Sequence, residues 1–307
     1  MSYINNNKPH QLTDFQYDFL KLLAKSTTAS ISAPTSAGKS FVLALDIVQK
    51  LKSNQPPSIV YTVPTRALIR QVMRQVIETI NEAGLKNVAV RCVPIPIETE
   101  KMSSGVVYVF TPERLMSFLH TDEGTPEITH LFVDEAQTIS DGSRGVVLQS
   151  AIDTTLAKFS GVKLYFASPL SSNPDYLPSL FMRRAEYGAR IETHSPVSQN
   201  IILCSNVKRK HKKAYFDVVT RNGRLNLGEW QLDFSLSPGQ SQRARKAEFA
   251  KAITLGEECT IIYVNGPQEA IKQAKAFIDD SDGLAQTTDD EVLKFADFIR
   301  NHIHKQY

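Results

Sequence analysis

The sequence predicts an α/β protein with a parallel, doubly wound β-sheet and helices on both of its faces. We expect this part to be followed by an incomplete second domain of the same kind. Two observations support this fold class. Apolar runs such as residues 106–110 lack polar alternation, which is typical of strands buried on both faces. Over the first 190 residues these runs alternate with helical patterns, which favours a parallel sheet with crossover helices.

The elements of the first 190 residues follow one another in a regular order. Residues 1–10 are polar and are expected to lack regular structure, and a helix is expected at residues 12–23 with Thr13 or Asp14 as its N-cap. The predicted strands cover residues 29–32, 58–63, 88–93, 106–110, 130–133 and 163–167, and the predicted helices begin at residues 41, 66, 112 and 146. In such sheets, ligands bind at the carboxyl ends of the strands, and every polar motif described below follows a strand.

The pattern changes after about residue 190, so we predict a first domain at residues 1–190 and a second region at 191–307. The second region begins with a basic connecting segment and a hairpin whose turn contains Asn222-Gly223. Next we predict a helix at residues 241–255 and a buried strand at 260–264. Two further helical patterns follow, at residues 267–278 and 289–304. One strand and a few helices cannot form a buried parallel sheet. We therefore expect either that the second domain is smaller than a complete α/β domain or that the chain ends within the second domain.

The composition indicates a soluble, cytoplasmic protein. The chain has 307 residues, 42% of them hydrophobic and 22% charged, and no apolar run is as long as a membrane span. The three cysteines are far apart and lack metal-binding spacing, which indicates reduced thiols. A net charge of +3 is too small to indicate a nucleic-acid partner by itself.

A phosphate-binding loop is predicted after the first strand of the sheet, at Ala33, Pro34, Thr35, Ser36, Ala37, Gly38, Lys39 and Ser40. The order strand, small-residue loop, Lys-Ser and helix suits phosphate because loop N–H groups and the helix N-terminus point at it. Lys39 would contact the β- and γ-phosphates, and the Ser40 hydroxyl would bind Mg²⁺. The strict pattern has Gly at position 33, where this chain has Ala. The alternative is a plain turn before an amphipathic helix, but the flanking strand and helix favour a nucleotide site.

An acidic pair, Asp134-Glu135, follows the strand at residues 130–133. Asp134 could hold Mg²⁺, and Glu135 could orient and deprotonate an attacking water. Alone, such a pair is more commonly part of a helix N-terminus, where the dipole favours acids. Together with the loop, it indicates ATP hydrolysis.

Gln16 lies upstream of the loop, on the first predicted helix. Its amide could pair with the N6 and N7 edge of adenine, using one acceptor and one donor. The alternative is an ordinary solvent-facing glutamine.

Several further segments complete a set of motifs at strand ends: Pro64-Thr65-Arg66-Ala67-Leu68, Thr111-Pro112-Glu113-Arg114-Leu115, Val133 to Gln137, Ala167-Ser168-Pro169 and Ile261 to Asn265. With the loop, these segments resemble the superfamily 2 DEAD/DExH-box helicases with a DEAQ-type second motif. Ser195-Pro196-Val197 and the final helix are most similar to the large DExH branch of RNA turnover and DNA repair. Ala167-Ser168-Pro169 departs from the Ser-Ala-Thr usual in the family.

The resemblance implies a RecA-like domain that uses ATP and Mg²⁺, followed by the start of a second RecA-like domain. It implies catalytic roles for Lys39, Asp134, Glu135 and Gln137, and ATP binding by Gln16 and the loop from Ala33 to Ser40. Ser40 and Asp134 would be the Mg²⁺ ligands, and Ser168 would couple the nucleotide to the nucleic acid. Gln137 would bridge the acidic motif to the Ser168 segment.

Two helix starts are expected to hold single-stranded DNA or RNA through Pro64, Thr65, Arg66, Thr111, Pro112 and Glu113. Free N–H groups at such turns, and the Arg66 guanidinium, suit backbone phosphates, so the track would read backbone and not sequence. Each could instead be a plain helix start. The basic run Lys208 to Lys213 is interpreted as a solvated face, and Trp230 as core or hairpin packing.

The function expected is therefore the ATP-binding portion of a helicase or translocase. No Gln-x-x-Gly-Arg-x-x-Arg run occurs in the 307 residues, so we expect slow hydrolysis and no unwinding by this chain alone. The rest of a longer chain, or a protein partner such as a nuclease, would complete it, and no membrane partner is expected. Two alternatives stay open: a non-catalytic nucleic-acid-binding scaffold of a defence or repair assembly, and an ATPase that acts on protein partners.

Overall fold

Seven parallel strands form the main sheet in the computed structural model of this chain, in the spatial order β5-β6-β4-β7-β8-β3-β9. These strands are β3 (Thr28–Ser32), β4 (Ser58–Thr62), β5 (Ala89–Arg91), β6 (Val106–Phe110), β7 (His130–Val133), β8 (Lys163–Ser168) and β9 (Tyr187–Ile191). The predicted parallel α/β fold is confirmed.

The structure describes residues 2–5, 8–97, 104–121, 124–169, 173–181, 187–195, 200–220, 222–236, 239, 241–254, 260–279, 290, 293, 294 and 297. The chain divides into two compact units, residues 1–198 and 199–307. The seven-stranded sheet belongs to the first unit. Its strand β9, which the sequence analysis missed, pairs with β3, so the first unit extends beyond residue 190.

Helices cover both faces of the sheet: α1 (Asp14–Lys25), α2 (Lys39–Leu51), α3 (Arg66–Glu82), α4 (Pro112–Leu119), α5 (Gly142–Lys158) and α6 (Tyr176–Leu180). Strand β4 shows how one strand serves two cores. Ile59 and Tyr61 pack in a cluster with α1, α2 and α3, whereas Val60 packs in a second cluster with α4 and α5. Because successive side chains point to opposite faces, a strand covered on both faces is apolar throughout.

The predicted N-cap of α1 is confirmed at Thr13. The Gln16 N–H donates to the Thr13 hydroxyl, and the Thr13 N–H donates to the Gln16 side chain, which is a complete capping box. The predicted polar lead-in is wrong in one respect, because β1 (Ser2–Asn5) and β2 (Lys8–Gln11) pair as an antiparallel hairpin. No alternating apolar pattern announces this hairpin in the sequence.

The second unit contains an antiparallel meander of β10 (Ile201–Val207), β11 (Lys210–Thr220) and β12 (Gly223–Gln231). The predicted hairpin around Asn222-Gly223 is confirmed. The helices are α7 (Gln242–Ile253), capped by the Ser241 hydroxyl, and α8 (Pro267–Asp279).

The predicted strand at residues 260–264 is wrong. The segment forms no strand, and Ile261 and Tyr263 are 93% and 81% exposed. A buried parallel strand needs neighbours for its backbone groups, and in the described part of this unit the segment pairs with none. Most of the helical pattern at residues 289–304 lies outside the described residues. No described helix combines the length and apolarity needed to cross a bilayer.

Candidate functional site

The predicted motifs lie side by side along the carboxyl edge of the main sheet. Strands β6, β4, β7, β8 and β3 are consecutive in the sheet. The residues that follow them or end them are Thr111, Val63, Asp134, Ser168 and Ala33, in that order. Neighbouring ends are joined by backbone hydrogen bonds from Val63 to Phe110, from Asp134 to Thr62 and from Ala33 to Ser168. Topology therefore places all five motifs in one row.

The loop after β3 closes on Gly38, which is the N-cap of α2 and has a φ of +79°. A side chain at this position would be strained, and its Cβ would lie 2.5 Å from Nε2 of Gln16. The Lys39 ammonium donates to the carbonyl oxygens of Ala33 at 2.8 Å and Pro34 at 3.0 Å. The loop thus wraps around one buried cation.

Burial lowers the pKa of the Lys39 ammonium, because removal from water disfavours its charged form. The nearby carboxylates Glu135 and Asp134 oppose this shift. Lys39 is only 4% exposed, so its positive charge is directed into the loop and not toward bulk solvent.

Asp134 receives hydrogen bonds from three directions. The Ser40 hydroxyl donates to Oδ2 at 3.2 Å, and the Tyr61 phenol donates to the same oxygen at 2.7 Å. The Glu135 N–H donates to Oδ1 at 3.0 Å. Burial raises the pKa of the Asp134 carboxyl, and the Tyr61 hydrogen bond opposes that rise by stabilising the carboxylate.

Glu135 adopts a left-handed backbone conformation with a φ of +51°, which is uncommon for a residue with a side chain. Such strain clusters at functional sites. Its carboxylate Oε2 accepts a hydrogen bond of 2.6 Å from Nε2 of Gln137, which is exposed. Gln137 therefore contacts its own acidic motif, and its expected bridge toward the Ser168 segment stays a prediction.

Gln16 contacts the loop directly. Its Nε2 donates to the Ala37 carbonyl at 3.2 Å, while its side-chain oxygen accepts from Thr13. Both ends of the amide are therefore engaged by the protein, one in the cap of α1 and one on the loop.

Ser168 ties the end of β8 to β3, because its hydroxyl donates to the Ile31 carbonyl at 3.2 Å. The Ser32 hydroxyl donates in the other direction, to the Pro169 carbonyl at 3.0 Å. The segment with the unusual proline is thus bonded to the strand that leads into the loop.

The two helix starts border one groove of about 550 Å³. It is lined by Pro64, Thr65, Arg66, Val93, Pro94, Thr111, Glu113, Arg114, Ser117 and Arg144. Thr65 and Thr111 are the N-caps of α3 and α4, and within the described residues neither side chain caps its own helix. In α4, Pro112 has no N–H and the Glu113 N–H is bonded to the Glu113 carboxylate, so the first N–H groups of α3 are the main backbone donors for a ligand.

The groove has a positive rim. Arg66 and Arg144 are exposed, and both, together with a hydrogen bond from the Thr111 hydroxyl, lower the pKa of Glu113. Arg114 is held by the Cys92 carbonyl at 2.7 Å. Pro112, expected at the nucleic-acid site, is buried in the first turn of α4 and is not among the residues that line the groove.

Two of these residues, Tyr61 and Arg144, were not predicted from the sequence. Tyr61 reads as one more apolar strand residue, although a phenol one position before the end of a strand can reach an acidic motif on the next strand. Arg144 lies in the first turn of α5, outside any motif, and gives no signal in the sequence.

A larger cavity of about 770 Å³ lies at the opposite, amino-terminal edge of the sheet. Its lining includes Lys50, His130 and Lys163, and none of the predicted site residues. The chemistry-bearing motifs are thus concentrated at the carboxyl edge, as expected for this sheet type.

Comparison with known families agrees with this arrangement. The sequence model of the DEAD/DEAH box helicase family matches residues 13–168, which is just over half of the chain. The chain belongs to the DEAD/DEAH box helicase family. The matched span contains every predicted site residue, and the resemblance stated from the motifs is confirmed.

Among curated relatives of this DEAD/DEAH box protein is the DExH-box ATP-dependent RNA helicase DExH9 of Arabidopsis thaliana, 32% identical over 145 residues. The ATP-dependent RNA helicase mtr4 of Schizosaccharomyces pombe is 29% identical over 145 residues. The human Exosome RNA helicase MTR4 is 28% identical over the same length. Each alignment covers 47% of this chain but only 12% to 14% of the relative, so the chain spans a small part of their length. The predicted similarity to the large DExH branch is confirmed.

Among solved structures, the DUF1998 helicase MrfA is similar over 60% of this chain and 30% of its own, with a TM-score of 0.46 and 18% identity.

Proposed function

We propose that the first unit of this DEAD/DEAH box protein binds ATP with Mg²⁺ and couples hydrolysis to single-stranded nucleic acid. One observation carries the proposal. The hydroxyl of Ser40, in the first turn of α2, lies 3.2 Å from the carboxylate of Asp134, which directly follows β7. Two separate sequence motifs therefore meet at one point, beside the buried ammonium of Lys39.

The residues present fit Mg²⁺. Ser40 and Asp134 supply hard oxygen ligands within hydrogen-bonding distance of each other. Protein sites commonly hold Mg²⁺ through one or two such groups plus phosphate oxygens and water. When bound there, Mg²⁺ would neutralise phosphate charge that develops during transfer.

The residues also fit a nucleotide phosphate. In the loop, Lys39 would exchange its two carbonyl acceptors, Ala33 and Pro34, for phosphate oxygens. The loop N–H groups and the α2 N-terminus add positive potential at the same place. The contact of Gln16 with Ala37 favours a role in holding the loop, with adenine recognition as the second role of the same amide.

Glu135 is proposed as the group that orients water and accepts its proton. Its left-handed backbone turns the residue away from the path of β7, while Asp134 is bonded to Ser40 and Tyr61. The two adjacent acids would thus have separate roles: Asp134 would bind Mg²⁺, and Glu135 would orient the water. Gln137 would position Glu135 through their 2.6 Å hydrogen bond, and Ser168 would link this site to β3.

The groove between α3 and α4 is proposed to hold the phosphate backbone of a single strand. Two helix N-termini and the exposed guanidinium groups of Arg66 and Arg144 face the same space. Such groups bind phosphate without reading bases. RNA is the first ligand to test, because relatives are named RNA helicases, and DNA is the second.

We further propose that the protein acts in the cytoplasm, where the thiols of Cys92 and Cys204 stay reduced. The rest of a longer chain or a partner such as a nuclease would supply the second half of the motor. The 307-residue chain is therefore expected to bind ATP and hydrolyse it slowly, without displacing a strand.

Nucleotide binding and ATP hydrolysis by the wild-type chain test the proposal, with and without single-stranded RNA or DNA. Lys39→Ala should abolish nucleotide binding, whereas Lys52→Ala, an exposed lysine at the end of the same helix, should not. Nucleic-acid binding without any nucleotide binding would contradict the proposal and favour a non-catalytic scaffold. Stimulation by a protein partner alone would favour an ATPase that acts on proteins.

A further inference from the structure

The lone tryptophan of the chain, Trp230, lies exposed on the antiparallel meander of the second unit. It is 57% exposed, so of the two packing arrangements expected for it, core or hairpin, only the hairpin contact is observed. The indole is nevertheless held in place, because its Nε1 donates to the Leu227 carbonyl at 3.2 Å. The indole and the Phe216 ring form an edge-to-face contact, with their centroids 6.5 Å apart. A large aromatic surface is thus both rigid and accessible to a ligand.

Trp230 shares its face with part of the basic run. It lies directly opposite Ala214 on β11, and Lys212 is two positions from Ala214, on the same face of the sheet. Diagonal neighbours of this kind lie about 7–8 Å apart between their Cα atoms, within reach of long side chains. Lys212 is exposed beside the indole.

Two more cations form the turn that leads into β11. Lys208 and Arg209 join β10 to β11 between the paired residues Val207 and Lys210, and both are exposed. Arg209 has a φ of +62°, a conformation that Gly or Asn adopts at lower cost in such turns. The requirements of the turn therefore do not explain a cation at this position.

Among the residues that the structure describes, these three cations have no acidic partner. Glu229 pairs with Lys213 at 2.5 Å and lies 3.7 Å from Lys210, which accounts for the other two lysines of the run. Within the described residues, no acid forms an ion pair with Lys208, Arg209 or Lys212. If the basic run were only a solvated face, there would be no reason for two of its lysines to pair with Glu229 while three cations stay unpaired beside an exposed indole.

We propose that Trp230, Lys212 and the Lys208–Arg209 turn form a single-stranded nucleic-acid contact in the second unit. A base stacks on the indole, and neighbouring phosphates lie against the three cations. Stacking on an aromatic side chain combined with cations along the backbone is how proteins bind single strands without sequence preference. The choice of ligand rests on the proposed function, but the residues are separate from those of the groove between α3 and α4.

The decisive measurement uses Trp230 itself, because it is the only tryptophan and all indole emission comes from it. A 15-residue oligouridine or oligothymidine is titrated into the wild-type chain while emission and the anisotropy of a labelled oligonucleotide are followed. We expect saturable quenching with the same midpoint as the anisotropy change. Binding that leaves the emission unchanged would overturn the proposal, as would quenching by anionic lipid vesicles but not by oligonucleotide.

Charge removal tests the phosphate contacts while the reporter remains. The variant with Lys208→Gln and Lys212→Gln is compared with a matched variant in α8, Lys272→Gln and Lys275→Gln, which removes the same charge from exposed lysines of the same unit. The variant with Lys208→Gln and Lys212→Gln should bind the oligonucleotide roughly ten-fold more weakly at low salt. The slope of its log affinity against log salt concentration should be smaller by about 1.4, or about 0.7 for each phosphate that is no longer neutralised. Equal behaviour of the two variants would overturn the proposal.

Removal of the ring tests the stacking contact. Trp230→Ala should weaken binding by about five-fold or more, the lower end of the range for one stacked base, and Trp230→Phe should retain most of the affinity. Far-ultraviolet circular dichroism of both variants checks that the meander is intact. Unchanged affinity in a folded Trp230→Ala variant would overturn the contact.

Failure of this inference can be separated from failure of the proposed function. If oligonucleotide stimulates ATP hydrolysis and Arg66→Gln abolishes the stimulation, while all hairpin variants behave as wild type, only the hairpin contact is refuted. If the wild-type chain binds no single strand at all, both proposals fall.

Discussion

The phenol of Tyr61 donates a 2.7 Å hydrogen bond to Oδ2 of Asp134, and both side chains are buried. Tyr61 is on β4 and Asp134 follows β7, so this bond exists only because the two strands are neighbours in the sheet. It stabilises the ionised form of a carboxylate whose pKa is raised by burial. The Mg²⁺ binding proposed for Asp134 would therefore be supported by a residue outside the acidic motif.

Tyr61→Phe should shift the acid limit of Mg²⁺-dependent nucleotide binding to higher pH. Without the phenol, burial raises the pKa of Asp134 further, so the carboxylate is protonated at a higher pH and metal affinity falls earlier as pH decreases. Nucleotide affinity measured from pH 5 to 8 tests this. Tyr165→Phe is the control, since that phenol donates to carbonyls of Leu23 and Ser26 instead. Identical pH profiles for Tyr61→Phe and wild type would contradict the role assigned to Tyr61.

Arg144→Gln should weaken single-strand binding at all sequences alike and reduce the salt slope by about 0.7, the value for one phosphate contact. The reason is that Arg144 lines the groove and lowers the pKa of Glu113 there. Arg74→Gln, an exposed arginine on α3 outside the groove lining, is the matched control. Fluorescence anisotropy over a range of salt concentrations gives both slopes, and a slope change in the control equal to that of Arg144→Gln would refute the assignment.

Asp46→Ala should destabilise the chain by about 3 kcal/mol, because it leaves the Lys50 ammonium buried without its partner. The two side chains form a 2.5 Å ion pair one turn apart on α2, and Asp46 is only 1% exposed. Urea unfolding measures the destabilisation. Replacement of both residues, Asp46→Leu with Lys50→Met, should recover most of it, since no buried charge remains. A double variant as unstable as Asp46→Ala would show that packing, and not charge, decides the result.

His130 should make the protein less stable below neutral pH. Burial, together with Lys50 and Lys163, lowers the pKa of His130 from 6.5 to about 3. The unfolded chain therefore binds a proton near pH 6.5 that the folded chain does not, so stability is full above that pH and falls as pH decreases toward 3. At pH 5 the decrease in stability from this group is about 2 kcal/mol.

His130→Gln, which cannot take up a proton, should lose less stability than wild type between pH 7.5 and pH 5. His120→Gln, an exposed histidine on the same unit, is the control and should follow wild type. Denaturant unfolding at both pH values gives the comparison. Parallel decreases in His130→Gln and wild type would mean that other groups govern the acid response.

Much of the site could be predicted from residue order alone. Gly38-Lys39-Ser40 and Asp134-Glu135 each follow a strand, and a parallel sheet necessarily brings the ends of its strands to one edge. The sequence also predicts the observed start of helix α4, because Thr111 and Pro112 mark it. Local signals of this kind act through neighbours in the chain, so they are visible in a sequence.

The wrong or missed secondary-structure predictions share a physical cause. The segment at residues 260–264 has the apolar composition of a buried strand, but a strand exists only when another strand bonds to it. Strand β9 and the hairpin of β1 and β2 were missed for the converse reason, since pairing partners supply what their composition does not. Trp230 was expected in a core or against a hairpin because large aromatics are usually buried, whereas its hairpin contacts leave more than half of it exposed.

Residue order is enough to predict the parallel α/β fold, the loop from Ala33 to Ser40, the acidic pair and the order of the motifs. Periodicity, glycine and capping residues express local preferences of the backbone, and these need no knowledge of distant contacts. Three relationships depend on the folded chain: Tyr61 hydrogen-bonds to Asp134, Arg144 lines the groove, and Trp230 is exposed on the sheet face that also carries Lys212. These relationships join residues far apart in the chain or on different strands, and their energies depend on burial and distance, which a linear sequence does not contain.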